Sequence, residues 1–323
     1  DLDIPAAPPI SRPAALPVRR PRAPAVALLV LGAALVIGPV VGGLFSKAAS
    51  GRQLLDAFRP HLQADALDRY EQDLRTLRAG SAAVDAVYGQ EHVQPGRFPG
   101  VDAYRQQSAD INDRASTLLD QVEAAEPSFR EVDSIGGFER VPFLVVAAGI
   151  TALYGGGVLL VGSNRGARAA APLVALAAAA LVAYPFLSNL PGGSRAGHRM
   201  VVSLAPVMTE GQVAQLQQDF VVLVTAEGQL DTAFRSVPKQ RAAATALARL
   251  GNDWPTISSD LATLVGTIND NIPNYGALRD LDRITSPVGV SGLAALPWAL
   301  VVVGATGAGL ATAARPRRRK EQA

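Results

Sequence analysis

Four stretches of the chain carry no charged residue, and they bracket two long stretches in which apolar residues recur at helical spacing. The uncharged stretches are 25–45, 142–162, about 169–187 and about 293–314. About 20 helical residues at roughly 1.5 Å each cross a hydrocarbon core roughly 30 Å thick. Pro24, Pro142, Pro172 and Pro297 stand at or near the first turns, where a missing N–H costs little. The pattern predicts four transmembrane helices rather than buried helices of a large soluble core. A cleaved signal peptide does not fit the first stretch, which lies behind a 24-residue leader and is followed by three more.

The two long stretches, 46–141 and 188–292, read as helical. Leu67, Tyr70, Leu74, Leu77, Ser81, Val84 and Tyr88 alternate steps of three and four, and so do Val213, Leu216, Phe220, Leu223, Glu227, Leu230 and Phe234. Each series makes one stripe on one helical face, as in bundle packing. A second stripe follows each: Val101, Tyr104, Ser108, Ile111 and onward to Val122, then Ile257, Leu261, Leu264, Ile268 and Ile272. The segments "YGQEHVQPGRFPG", "FRSVPKQ" and "LGNDWP" have turn composition and are expected to break the helices. Each stretch is thus expected to form a helical hairpin, with Pro60 and Pro206 starting or bending its first helix.

The two hairpins align at an offset of 146 residues. Gly51/Gly197, Pro60/Pro206, Gln72/Gln218, Asp73/Asp219, Leu77/Leu223 and Asp85/Asp231 are identical, Tyr88 and Phe234 close the aligned helices, and Pro127 and Pro273 follow the second ones. The downstream register shifts, since Ile111-Asn-Asp and Ile268-Asn-Asp match at 157. Span order, prolines and loop length together predict a tandem, parallel duplication with a later insertion. One hairpin alone would expose its apolar stripe, whereas two bring four helices around one core. The expected fold is an all-α integral membrane protein with four transmembrane helices and two extracytoplasmic helical hairpins forming a bundle.

Charge orients this arrangement. Arg12, Arg19, Arg20 and Arg22 precede the first span, Arg165 and Arg168 lie in the loop 163–168, and Arg315, Arg317, Arg318, Arg319 and Lys320 follow the fourth. The leader 1–24, this loop and the tail 315–323 together hold 11 basic and 3 acidic residues. The long stretches hold 11 basic against 16 acidic, and 8 against 9. Arginine flanking the short segments places them in the cytoplasm and both long stretches outside. With 27 arginines, three lysines and abundant Ala, Gly, Pro and Val, the composition points to a GC-rich bacterial genome and its cytoplasmic (inner) membrane.

Close helix packing has candidate positions in Gly38/Gly42, Ala148/Ala152/Gly156 and Gly304/Ala308, small residues that let backbones approach. The spans contain no ionisable group of the kind that ion and proton pathways place in a bilayer, which disfavours a self-sufficient transporter.

Candidate chemistry is thin. Zero cysteine excludes disulfides and thiolate sites. His61, His92 and His198 have no ligand spacing and are expected at the surface or as caps. No phosphate-binding glycine loop or serine elbow stands in a suitable context. Asp110 and Asp113 share a helical face and suit at most weak divalent binding. The interleaving of Asp65, Asp68, Glu71 and Asp73 with Arg69, Arg75 and Arg78 reads as a solvated, ion-paired face, as do Arg105 and Arg114 on the next helix. Phe98, Phe138, Trp254 and Trp298 are expected as core plugs or interfacial anchors. No catalytic, cofactor-binding or metal-ligating residue is expected, and no cofactor. The expectation is a non-enzymatic scaffold whose bundle binds a cell-envelope protein partner or a second copy of itself, in contact with membrane lipid and without nucleic acid. The alternatives are an accessory subunit of a lipid or envelope transport complex, or a ligand-sensing ectodomain acting through a partner.

Overall fold

The computed structural model describes residues 23–135, 140–161, 164–232, 234–238, 240–283 and 292–313, with the backbone alone for 164–169 and 235. Among the described residues there are ten α-helices and no strand. They are α1 (Ala23–Val41), α2 (Leu44–Phe58), α3 (Ala64–Gln90), α4 (Pro99–Ser134), α5 (Val141–Val161), α6 (Asn164–Leu187), α7 (Leu190–Leu204), α8 (Glu210–Thr232), α9 (Arg241–Arg283) and α10 (Gly292–Ala313). Four helices are long and apolar enough to cross a membrane: α1, α5, α6 over Ala170–Leu187, and α10. The arginines of the leader and tail and Phe138 lie outside the described residues, as do the side chains of Arg165 and Arg168.

The first apolar helix is shorter than the uncharged run. It ends at Val41, and Leu44 and Phe45 open the next helix. Gly43, at φ 63°, makes the turn between them in the left-handed region that glycine enters freely. Asn189, at φ 51°, does the same between α6 and α7, and Asn is among the few other residues that tolerate this conformation. The two hinges are 146 residues apart.

Each polar segment holds three helices rather than a two-helix hairpin. The chain breaks after α2 at Pro60 and after α7 at Pro206, so these prolines separate helices instead of bending one. Four other prolines depart from expectation in the opposite sense, among them Pro172, which lies inside α6 rather than in its first turn. Pro127, Pro255 and Pro273 lie inside α4 and α9, and "LGNDWP" does not break α9, which runs unbroken for 43 residues. Each interior proline forfeits a backbone hydrogen bond and crowds the preceding turn. Packing compensates: Leu250 and Trp254 are buried ahead of Pro255, and Phe129 and Tyr275 are buried two residues beyond Pro127 and Pro273.

The apolar helices close a ring in which α1 packs on α5, α5 on α6, α6 on α10 and α10 on α1. The contacts are backbone-close. A Cβ on Gly32 would meet Leu153 N at 2.7 Å and Gly149 O at 2.8 Å, and one on Gly304 would meet Ala178 O at 2.8 Å. Gly156 likewise faces Ala25 O at 2.9 Å, whereas Gly38 meets nothing within 4 Å. Two of the three anticipated small-residue motifs therefore lie in helix contacts. Gly38 does not, and Gly32 takes that role in α1.

In the polar bundle the main neighbours come from opposite segments: α2 and α3 pack on α9, while α7 and α8 pack on α4. The expected stripes lie inward, with Tyr70, Leu74, Leu77, Val84 and Tyr88 buried on α3 and Val213, Leu216 and Leu223 on α8. One core cluster lies toward the apolar helices, around Phe58, Phe129, Met200, Ile268 and Tyr275. A second occupies the far end, where Tyr88 stacks on Phe234 with centroids 5.7 Å apart and Phe98 meets Phe234 edge-on at 5.2 Å.

Candidate functional site

Where the bundle meets the apolar helices, α2 and α7 carry small residues toward each other: Ala48 and Gly51 on one, Gly193, Ser194 and Gly197 on the other. They leave a partly open cavity of about 190 Å³, closed by Leu55, Val132, Ile135, Leu190, Met200, Val201, Leu278 and Leu293. Ser194 Oγ donates to the carbonyl of Leu190, so its hydroxyl is committed to its own helix. The interior is therefore apolar. Charge is confined to one rim. There Arg59 donates Nη2–H and Nε–H to Asp133 at 2.7 and 3.3 Å and Nη1–H to Asp56 at 2.8 Å, and Arg52 stands 3.6 Å from Asp56. The Asp133 bonds, then those to Asp56, hold the Arg59 guanidinium well above the ordinary arginine range.

A second polar feature runs through the bundle. Asp73 and Asp219 both border a smaller cavity of about 70 Å³ in the core. Arg114 donates Nε–H to Asp219 Oδ2 at 2.8 Å and Nη2–H to Oδ1 at 2.7 Å, and Gln215 adds a third bond at 3.1 Å. Asp73 has no such partner. Its Oδ2 is buried and unbonded, and its carboxyl is pushed up to about 6 by burial first and by Asp260, with Asp253 adding and Arg69 opposing. Arg69 is itself engaged with Asp260 at 3.4 Å.

Next to this pair lies His61, which is buried rather than at the surface. Its Nδ1 is 2.6 Å from Tyr70 Oη and its Nε2 is 3.0 Å from Thr267 Oγ1. Burial pushes the histidine below its ordinary range, Asp260 opposes this and Arg69 adds to it. Burial pushes the Tyr70 phenol up to about 12. A neutral imidazole offers one donor and one acceptor nitrogen, and each faces a hydroxyl that can take the complementary role. His198 Nδ1 meets Asp282 at 2.8 Å, and His92 lies in an exposed turn.

The remaining anticipated residues fall into place singly. Asp110 and Asp113 are exposed, and among the described residues no three His, Asp or Glu gather as metal ligands. Arg75 pairs with Glu71 and Arg105 with Asp85, as an ion-paired face requires. The pairs Arg69–Asp260 and Arg114–Asp219 instead join opposite segments, which spacing along one helix could not reveal. Phe98 and Trp254 are core residues, and Trp298 lies half-exposed on α10 against Phe186. The junction cavity was missed because no motif marks it; its one sequence signal was the Gly51/Gly197 identity. No protein-family model matches the chain, and no curated protein matches it.

Proposed function

We propose that this is a non-enzymatic protein of a bacterial cytoplasmic membrane, with both termini in the cytoplasm and a helical bundle outside that scaffolds a cell-envelope protein. The arginine distribution supports the orientation. A tandem duplication underlies the bundle: the hinges Gly43/Asn189, the breaks Pro60/Pro206 and the interior prolines Pro127/Pro273 recur at one offset, and the helix pairings of one segment repeat in the other. The observation that carries the scaffold is the exchange of packing between segments, with α2 on α9 and α7 on α4, which joins both segments in one bundle between the apolar helices. A contact surface is available on α8, where Val221 and Val224 are 63% and 44% exposed on an outward stripe that continues to Gly228. Helix faces of this kind suit helix–helix recognition.

The test is affinity purification of the tagged full chain from its native membrane after crosslinking, read by mass spectrometry. A stoichiometric protein crosslinked through 46–141 or 188–292, and lost in Val221→Glu/Val224→Glu, supports the scaffold. Recovery of the chain alone overturns it. The alternative role, as an accessory subunit in lipid transport, is favoured by one feature, the apolar cavity at the junction.

A further inference from the structure

We infer that the junction cavity binds one aliphatic chain of a membrane amphiphile, with its polar head at the Arg52–Asp56–Arg59–Asp133 rim. This deepens the lipid-handling alternative, yet the site stands on its own geometry whether or not a transport complex exists.

Position comes first. Leu190 opens α7 three residues after α6 ends, Leu293 is the second residue of α10, and Ile135 follows α4 shortly before α5 begins. The cavity walls therefore start at the ends of the apolar helices, where a spanning helix meets the headgroup layer, and reach from there into the bundle.

Chemistry narrows the ligand. The walls offer aliphatic side chains and helix backbone, and the hydroxyl of Ser194 is already bonded. A polar metabolite would lose its hydration there without replacement hydrogen bonds. An aliphatic chain loses nothing and gains contact. The cavity of about 190 Å³ exceeds the roughly 150 Å³ apolar void that takes up benzene. The single charged rim then matches an amphiphile, with the apolar part inside and the polar head beside exposed arginines and carboxylates.

The space is not a by-product of close helix approach at every glycine. A Cβ on Gly197 would meet Leu293 at 3.8 Å and Val132 at 3.9 Å, which are ordinary contacts. Larger residues fit there, and they would project into the void.

The test uses the full chain reconstituted in phosphatidylethanolamine/phosphatidylglycerol vesicles carrying a trace of phosphatidylglycerol with a diazirine in its acyl chain. A parallel sample carries a diazirine fatty acid instead. After illumination, labelled residues are mapped by mass spectrometry. The expected result is label on Val132, Met200 and Val201 as well as on outward residues of the apolar helices such as Val30 and Val302. The probe that labels the cavity identifies the source of the chain. In Gly197→Val the cavity label is lost while the outward label persists, and Gly197→Ala, which adds only a methyl, gives a partial loss. Gly211→Val, at a glycine with nothing within 4 Å, leaves both unchanged. Outward label without cavity label in both samples overturns the inference, and so does cavity label undiminished in both Gly197 variants. Cavity label in a chain that purifies without a partner keeps the site and removes the accessory role.

Discussion

Arg114 grips Asp219 through two hydrogen bonds of 2.8 and 2.7 Å, joining α4 to α8, while the residue 146 positions after Arg114 is Asp260, set near Asp73. One side of the bundle therefore holds a bidentate ion pair, where the other sets Asp73 near Asp260, whose partner is Arg69. Asp219's side chain is 7% exposed and Arg114's is 31%, so removing the cation leaves a buried charge partly uncompensated. Arg114→Met is expected to destabilise the protein by about 2 kcal/mol, below the range for fully buried pairs because the arginine reaches solvent. The double variant Arg114→Met/Asp219→Leu is expected to recover most of that loss. A double-mutant cycle by chemical denaturation in detergent measures the coupling, and additive effects would contradict it.

Asp73 has the opposite expectation. Its carboxyl stands at about 6 in the folded chain against 3.8 ordinarily, so between these values the folded state binds the extra proton. Its stabilising contribution is complete below the ordinary value and is lost as pH rises through about 6. Asp73→Asn is expected to raise stability at pH 7 by on the order of 1 kcal/mol, after discounting for solvent near a partly buried group. The variant should also flatten the dependence between pH 4 and 6. Melting temperatures across that window check both.

His61 titrates with the reverse sign. Its folded value is lowered, so its contribution is present above the ordinary 6.5 and is lost as pH falls below it. His61→Phe would leave Tyr70 Oη and Thr267 Oγ1 without the ring nitrogens they now meet. A loss of about 2 kcal/mol at pH 7 is expected, together with disappearance of the acid-side decline. If the variant kept wild-type stability at pH 7, these two hydrogen bonds would carry no weight.

Much of this fold was legible because two periodicities dominate the chain. Uncharged 20-residue runs identified the apolar helices within a few residues, and the three-four stripes of α3, α4 and α8 predicted buried faces at Tyr70, Tyr104 and Leu216. The errors concern backbone punctuation. Proline ends a helix at Pro60 and Pro206 but is carried inside one at Pro127, Pro255 and Pro273, and the difference lies in packing from distant residues. Asn189 carries no turn signal of its own in the sequence, yet its backbone is left-handed like that of Gly43, 146 residues earlier. The His61 cluster is not marked by spacing because Thr267 reaches it from α9, 206 residues along the chain. The junction cavity is written in small residues, which abundant glycine and alanine disguise.

Gly32 is a case where that disguise hides a strict requirement. An added Cβ would sit 2.7 Å from one backbone atom of α5 and 2.8 Å from another, and backbone cannot yield as a side chain tip can. Gly32→Val is expected to force α1 away from α5 and cost about 3 kcal/mol, the upper end for overpacking. Gly38→Ala, with nothing within 4 Å, is expected to change stability by less than about 0.5 kcal/mol. Thermal unfolding in one detergent distinguishes the two, and equal effects would remove the close α1–α5 approach as a source of stability.

The exchange of helices between segments has a consequence for each half of the chain. In residues 1–165 alone, α2 and α3 would lose α9, and α4 would lose α7 and α8. Phe58, Tyr70, Leu118 and Phe129, all buried in the shared core, would then face water. On the proposed duplication, one half can offer to a second copy of itself the surfaces it offers to its partner half. Residues 1–165 are therefore expected to dimerise or to melt without cooperativity, and co-expression with 166–323 is expected to restore one cooperative transition. Size-exclusion chromatography with light scattering, paired with circular-dichroism melting, measures both. A monomeric half that keeps its helix content and unfolds as sharply as the whole chain would mean that each segment buries its own core, and that the cross-packing of α2 on α9 and α7 on α4 contributes little.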